Sequence, residues 1–236
     1  MDLQEVMDYL ESKGSAQTKK IFGRHGAPEN SFGVKVGDMK LIEKKERNNH
    51  QLAKALFATG NGDAQYLAGL IANPQEFSAE DLSKWAKEAT WYMVSEYAVA
   101  WNLAEHPDAV SIATEWIHSD DPKLQVVGWA GYSAFLGTKK SEGHDIESVK
   151  TLLKKIETEI QGAANRVRYT MNGFVIAAGG AYPELTEECK TIGDRIGEVN
   201  VNLGETSCKV PSIRPYLENM ENRGRIGKKK AKAKCQ

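Results

Sequence analysis

The chain has 236 residues, 41% hydrophobic and 27% charged, with a formal net charge of −1. A sizeable core is available and general disorder is excluded; no apolar run of about 18 residues exists to span a membrane. Cys189, Cys208 and Cys235 are too far apart for a disulfide framework or a zinc-binding spacing, so a reducing cytoplasm is expected.

The near-zero charge hides a split. From Asn222 onward seven Lys or Arg (Arg223, Arg225, Lys228, Lys229, Lys230, Lys232, Lys234) meet no acid, which leaves the body with 24 basic against 32 acidic residues. The expectation is one helical domain over 1–222 and a basic, flexible tail over 223–236, whose Lys228, Lys229 and Lys230 attract phosphate. An acidic body is not a general DNA clamp, so any nucleic-acid surface must be a local patch.

In chain order, Leu3, Val6, Met7 and Leu10 mark one face of a first amphipathic helix, too acidic for a signal peptide. Residues 23–35 form a Gly/Pro/Asn/Ser linker. Helices follow over Asp38–Glu46, His50–Thr59 (stopped by Gly60) and Asp63–Ala72 (ended by Asn73-Pro74). Ser78 with Asp81 resembles a capping box. Further helices span Thr90–Glu105, Asp108–His118, Pro122–Leu136, Ile146–Ile160, Ala164–Ala178 and Pro183–Gly193; Asn200–Pro211 is irregular, and Ser212–Asn222 is the last helix. No convincing strand alternation is found. Short helices joined by tight turns predict an all-α, HEAT-like or armadillo-type solenoid with a concave face.

Chemistry concentrates at Thr90–Trp101, TWYMVSEYAVAW, where rings and one carboxylate share a helix. Trp91, Ser95 and Glu96 are the candidate catalytic residues. Trp85, Trp101, Trp116 and Trp129 fall on helix faces where burial is the default. His118, Asp120, Asp121 and His144 lie in turns without a ligand spacing, so no metal site is expected, nor is a cofactor. Gly60-Asn61-Gly62-Asp63 is a turn without the Lys-Ser/Thr ending of a phosphate loop.

Six segments, SFGVKVGDM (31–39), ALFATGNGDA (55–64), TW…E (90–96), NRVRYTMNGFVIAAG (165–179), LGETSCKVP (203–211) and RGRIGKKK (223–230), occur in an order that resembles the bacterial DNA alkylation repair family of HEAT-like-repeat glycosylases. The resemblance covers nearly the whole chain. It implies DNA, alkylated in active members, as partner, and excision of N3- or N7-alkylated purines without flipping the base into a pocket. It also implies two tryptophans and an aspartate about the deoxyribose, where rings and a carboxylate stabilise developing positive charge.

The first tryptophan of that pattern matches Trp91, after Thr90. The aspartate position four residues on is Ser95. Glu96 is adjacent but about 100° around a regular helix, so a register shift would be needed for it to serve. The second tryptophan falls at Gly173, with Phe174 beside it, and the arginine three residues further is Ile176. Another family arginine falls at Val126 or Val127. Arg166 and Arg168, at a helix start, are candidate phosphate contacts with Phe174 as a base contact. These departures imply weakened or lost excision. The alternative is a catalytically silent HEAT-repeat scaffold that binds nucleic acid or a protein partner.

Overall fold

A computed structural model describes residues 1–234. Thirteen α-helices are present among them: α1 Leu3–Lys13, α2 Ala16–Arg24, α3 Val36–Lys45, α4 His50–Ala58, α5 Gly62–Ile71, α6 Ala79–Glu88, α7 Ala100–Glu105, α8 Ala109–Ile117, α9 Pro122–Leu136, α10 Ile146–Glu159, α11 Asn165–Ala181, α12 Thr186–Ile196 and α13 Ile213–Asn222. The fold is the expected all-α, HEAT-like repeat solenoid. Helix α2 lies in a stretch for which no helix was expected; Ser15 starts it by accepting the Thr18 N–H. Ser78 accepts the Asp81 N–H at 3.0 Å, as the capping pattern implied.

Helix α5, the Met93–Val99 stretch (which leads into α7), α9 and α11 pack side by side as an inner row, and α4, α8 and α12 pack against α5, α9 and α11 respectively. Close approach in the row depends on small residues. Gly69 of α5 lies so near Ala98 that no side chain fits between them. Asn102 bridges the same contact by donating to the Gly69 and Ala98 carbonyls, 2.8 Å each. The five tryptophans all contribute to the core; Trp85 stacks on Phe57 at 3.9 Å.

Two expectations change. The helix expected over Thr90–Glu105 begins as a π-helical stretch, Met93–Val99, before α7. Phe174 is fully buried, 5.1 Å from Trp129 and 5.5 Å from Tyr132 between ring centroids, so it does not reach nucleic acid. The reason is periodicity: Val167, Met171, Phe174 and Ala178 form the inward stripe of α11.

Two motifs prove to be one interaction. Asp63, from GNGD, is buried and accepts the backbone N–H groups of Phe32, Gly33 and Val34 at 2.6–3.0 Å. The SFGV loop is thereby tied to the first turn of α5. Three charge-assisted bonds satisfy a carboxylate that burial alone would disfavour.

Candidate nucleic-acid interface

The first turns of the inner helices bring together Trp91, Tyr92 and Ser95, with Pro122, Lys123 and Val126 of α9 and Arg166 of α11, around a cavity of about 240 Å³. Trp91 is only 9% exposed, its ring 5.3 Å from Phe22 of α2 and 5.5 Å from Tyr92. Its indole N–H has no hydrogen-bond partner, and neither does the nearby Ser31 hydroxyl. Both approach Gly62, where a Cβ would stand 3.2 Å from the indole nitrogen.

The π-helical stretch decides where Glu96 points. The Ala100 N–H reaches back to the Ser95 carbonyl, five residues earlier, so the turn holds one residue more than an α-turn. This is a register shift of the kind Glu96 needs, and it turns Glu96 towards α11. There Arg166 grips it bidentately, Nε to Oε1 and Nη2 to Oε2, both at 2.6 Å. The guanidinium lies 4.8 Å from the Tyr92 ring centroid and 4.4 Å from that of Tyr169, held between two aromatic faces. The Glu96 side chain is 4% exposed and that of Arg166 26%. Burial pushes the Glu96 carboxyl up to about 7, with Arg166 pulling the other way. Burial also raises Tyr92 and Tyr169, and takes Tyr97 to about 12, so all three phenols are neutral near pH 7.

Ser95 offers no nucleophile. Its hydroxyl turns back to the Trp91 and Tyr92 carbonyls, 3.5 Å from each, and among the described residues no basic side chain hydrogen-bonds to it. Trp91, Ser95, Glu96 and Arg166 thus converge; Phe174 does not. Arg168 is half-buried and its Nε lacks a partner. Sequence reasoning missed Tyr92 and Tyr169. The Arg166–Tyr169 spacing of three was an available signal, since such pairs meet on a helix face.

The segment 197–212 runs along the N-terminal half of α11. Asn202 and Asn165 exchange hydrogen bonds at 2.7 and 2.9 Å. Asn172 donates to the Pro211 carbonyl at 3.0 Å. Further along, the Glu205 N–H donates to the Arg24 carbonyl at the end of α2, 3.0 Å away. Gly204, at φ +82, touches that same carbonyl, a contact and a conformation open only to glycine. The segment therefore straps the last repeat to the first.

The tail departs from the flexible end expected. Lys229 donates to the Ser141 hydroxyl at 2.8 Å and lies 4.2 Å from the Tyr182 ring centroid; Lys230 pairs through its backbone with Gly137 and Lys139. These contacts dock it because basic side chains meet carbonyls at helix C-termini, where partial negative charge collects. The side chains of Lys228 and Lys230 stay exposed. Cys235 lies outside the described residues. Among those residues no three His, Cys, Asp or Glu side chains are grouped to hold a metal, and no helix is long and apolar enough to cross a membrane.

A HEAT-like array with an aromatic and acidic cluster on its inner row defines the class of DNA-glycosylase-related helical-repeat proteins. The comparisons agree: residues 6–188 match the family model of the DNA alkylation repair enzymes, and the chain belongs to that family. Similar proteins include two from Listeria monocytogenes and Listeria innocua, both described as uncharacterised. Each is 34% identical over 220 residues, covering 91% of this chain and 95% of the relative. A solved structure described as "a new family of proteins related to the HEAT-like repeat DNA glycosylases with affinity for branched DNA structures" superposes with a TM-score of 0.92 at 35% identity. It covers 100% of both chains.

Proposed function

We propose that this protein binds DNA, branched DNA in particular, on the face formed by the first turns of its inner helices, and that it does not excise bases. The observation that carries this reading is the state of Glu96. A carboxylate that offsets oxocarbenium charge must face the sugar and be free to do so. Glu96 is buried and committed to Arg166 through both oxygens, and the alternative position, Ser95, holds a hydroxyl to which, among the described residues, no basic side chain hydrogen-bonds. The affinity for branched DNA described for the similar structure supports the choice of ligand. In this reading Arg168, Lys123 and the exposed Lys209 of the strap contact phosphate, Trp91 shapes the wall of the cavity, and the protein acts on DNA in the cytoplasm.

Two measurements test it together. Purified protein is incubated with DNA containing 7-methylguanine, and base release is followed; none above background is expected. Mobility shifts then compare a three-way junction with a linear duplex of equal length, and tighter binding to the junction is expected. Base release that disappears in Glu96→Gln would sink the non-excising reading. Equal, weak binding of both DNAs would sink the ligand.

A further inference from the structure

The chain after α13 runs back along the solenoid in nearly regular steps. The Gly227 N–H donates to the Gly180 carbonyl, in the last turn of α11, at 2.8 Å. Three residues later the Lys230 N–H donates at 2.9 Å to the carbonyl of Gly137, which caps α9; the Lys139 N–H returns a bond to the Lys230 carbonyl at 2.8 Å. Three residues further the Ala233 N–H donates to the carboxylate of Glu105, the last residue of α7. Lys234 then donates to the Leu70 and Ala72 carbonyls at the end of α5, at 3.4 and 2.9 Å. Four neighbouring inner helices are met in reverse chain order, α11, α9, α7, α5.

The two steps from Gly227 to Lys230 and from Lys230 to Ala233 match a physical length; the last contact is reached by the long Lys234 side chain one residue on. Extended chain rises about 3.3 Å per residue, so three residues cover about 10 Å. Packed helices lie about 8–10 Å apart. One helix per three residues is therefore within reach of the chain, which leaves a turn at Ile226 and Gly227 and then crosses the row of helices with a bend at Ala231. Charge fits as well as length, since each helix end leaves unsatisfied carbonyls with partial negative charge. Lys229 and Lys234 supply cations there.

We infer that residues 226–234 are an internal splint: a basic segment seated on the C-terminal ends of the inner helices, whose three-residue stride between Gly227, Lys230 and Ala233 fixes the spacing of the row. The surface it occupies is a seat for a Lys-rich peptide, filled by the protein's own tail. The tail holds the curvature of the repeat array and is not primarily a phosphate contact. This stands independently of whether the inner face binds DNA.

The test uses the full chain with one glycine inserted between Lys230 and Ala231, compared with wild type by site-resolved hydrogen exchange and thermal melting. The Gly227 and Lys230 amides should keep their protection, while that of Ala233 falls at least tenfold. The melting temperature should drop by about 3 °C or more, the range for losing a contact step in a chain of this size. Unchanged protection at Ala233 overturns the inference, because length would then not matter. A second protein, ending at Arg225, is titrated with a synthetic peptide of residues 226–236. Peptide-dependent recovery of the melting temperature supports the seat; a truncated protein that melts with wild type overturns it.

Discussion

At Glu96 a carboxyl group and a guanidinium share one buried bidentate contact, and truncating either side chain leaves the other without its partner. Arg166→Ala should lower stability by about 3 kcal/mol in urea denaturation, and adding Glu96→Gln should recover part of it; additive losses would refute the coupling. The sign of the pH effect follows from the raised carboxyl. Between its ordinary value of 4.5 and about 7 the folded state holds a proton that the unfolded state has released. Stability from this group is therefore greatest at low pH and declines as pH rises through that window. Denaturation series at pH 5 and pH 8 should show wild type losing stability relative to Glu96→Gln, a comparison that cancels the opposite effect of His50 and His144, whose pKa values burial lowers. Trp91 carries a separate expectation. Packed against Phe22 and Tyr92, its replacement by alanine should cost about 3–5 kcal/mol of stability. A loss of DNA binding in that variant has meaning only beside its melting curve.

Among the elements, the loop 31–34 and the first turn of α5 depend on each other through Asp63. Asp63→Ala leaves three backbone donors without their acceptor and should cost about 3 kcal/mol or more. Amide exchange should rise at Phe32, Gly33 and Val34; unchanged exchange there would show that the loop is held by something else. Both motifs were legible in the sequence, but their union was not, because nothing local states that residues thirty apart will meet. The apolar stripe of α11 was equally legible, and counting it through would have placed Phe174 in the core. The π-helical stretch was hidden for another reason: helix propensities describe α-turns, and the extra residue of a wide turn is selected by packing around Glu96 and Arg166. The docking of the tail left no sequence signal because most of its partners are backbone carbonyls, which every helix end offers. The repeat architecture followed from helix periodicity and motif order; the pairing of Glu96 with Arg166 beside Trp91 required tertiary contacts.

For the whole molecule the charge balance takes on a spatial sense. The basic tail lies on the acidic body rather than apart from it, so counterion release on DNA binding should come from elsewhere. Replacing Lys229 and Lys234 by alanine should leave the slope of log K against log[salt] for a three-way junction unchanged. Arg168→Ala and Lys209→Ala should each reduce its magnitude by about 0.9, and no change in either would remove those residues from the interface. A linear repeat array is ordinarily quasi-one-dimensional, each repeat sensing only its neighbours and free to fray from its ends. Here the 197–212 strap joins Gly204 and Glu205 to Arg24, so the two ends are no longer independent. The first repeat cannot peel away without releasing the last. The array should therefore melt as one cooperative unit, with calorimetric and van't Hoff enthalpies in agreement, and a single substitution at Gly204 should split that transition in two.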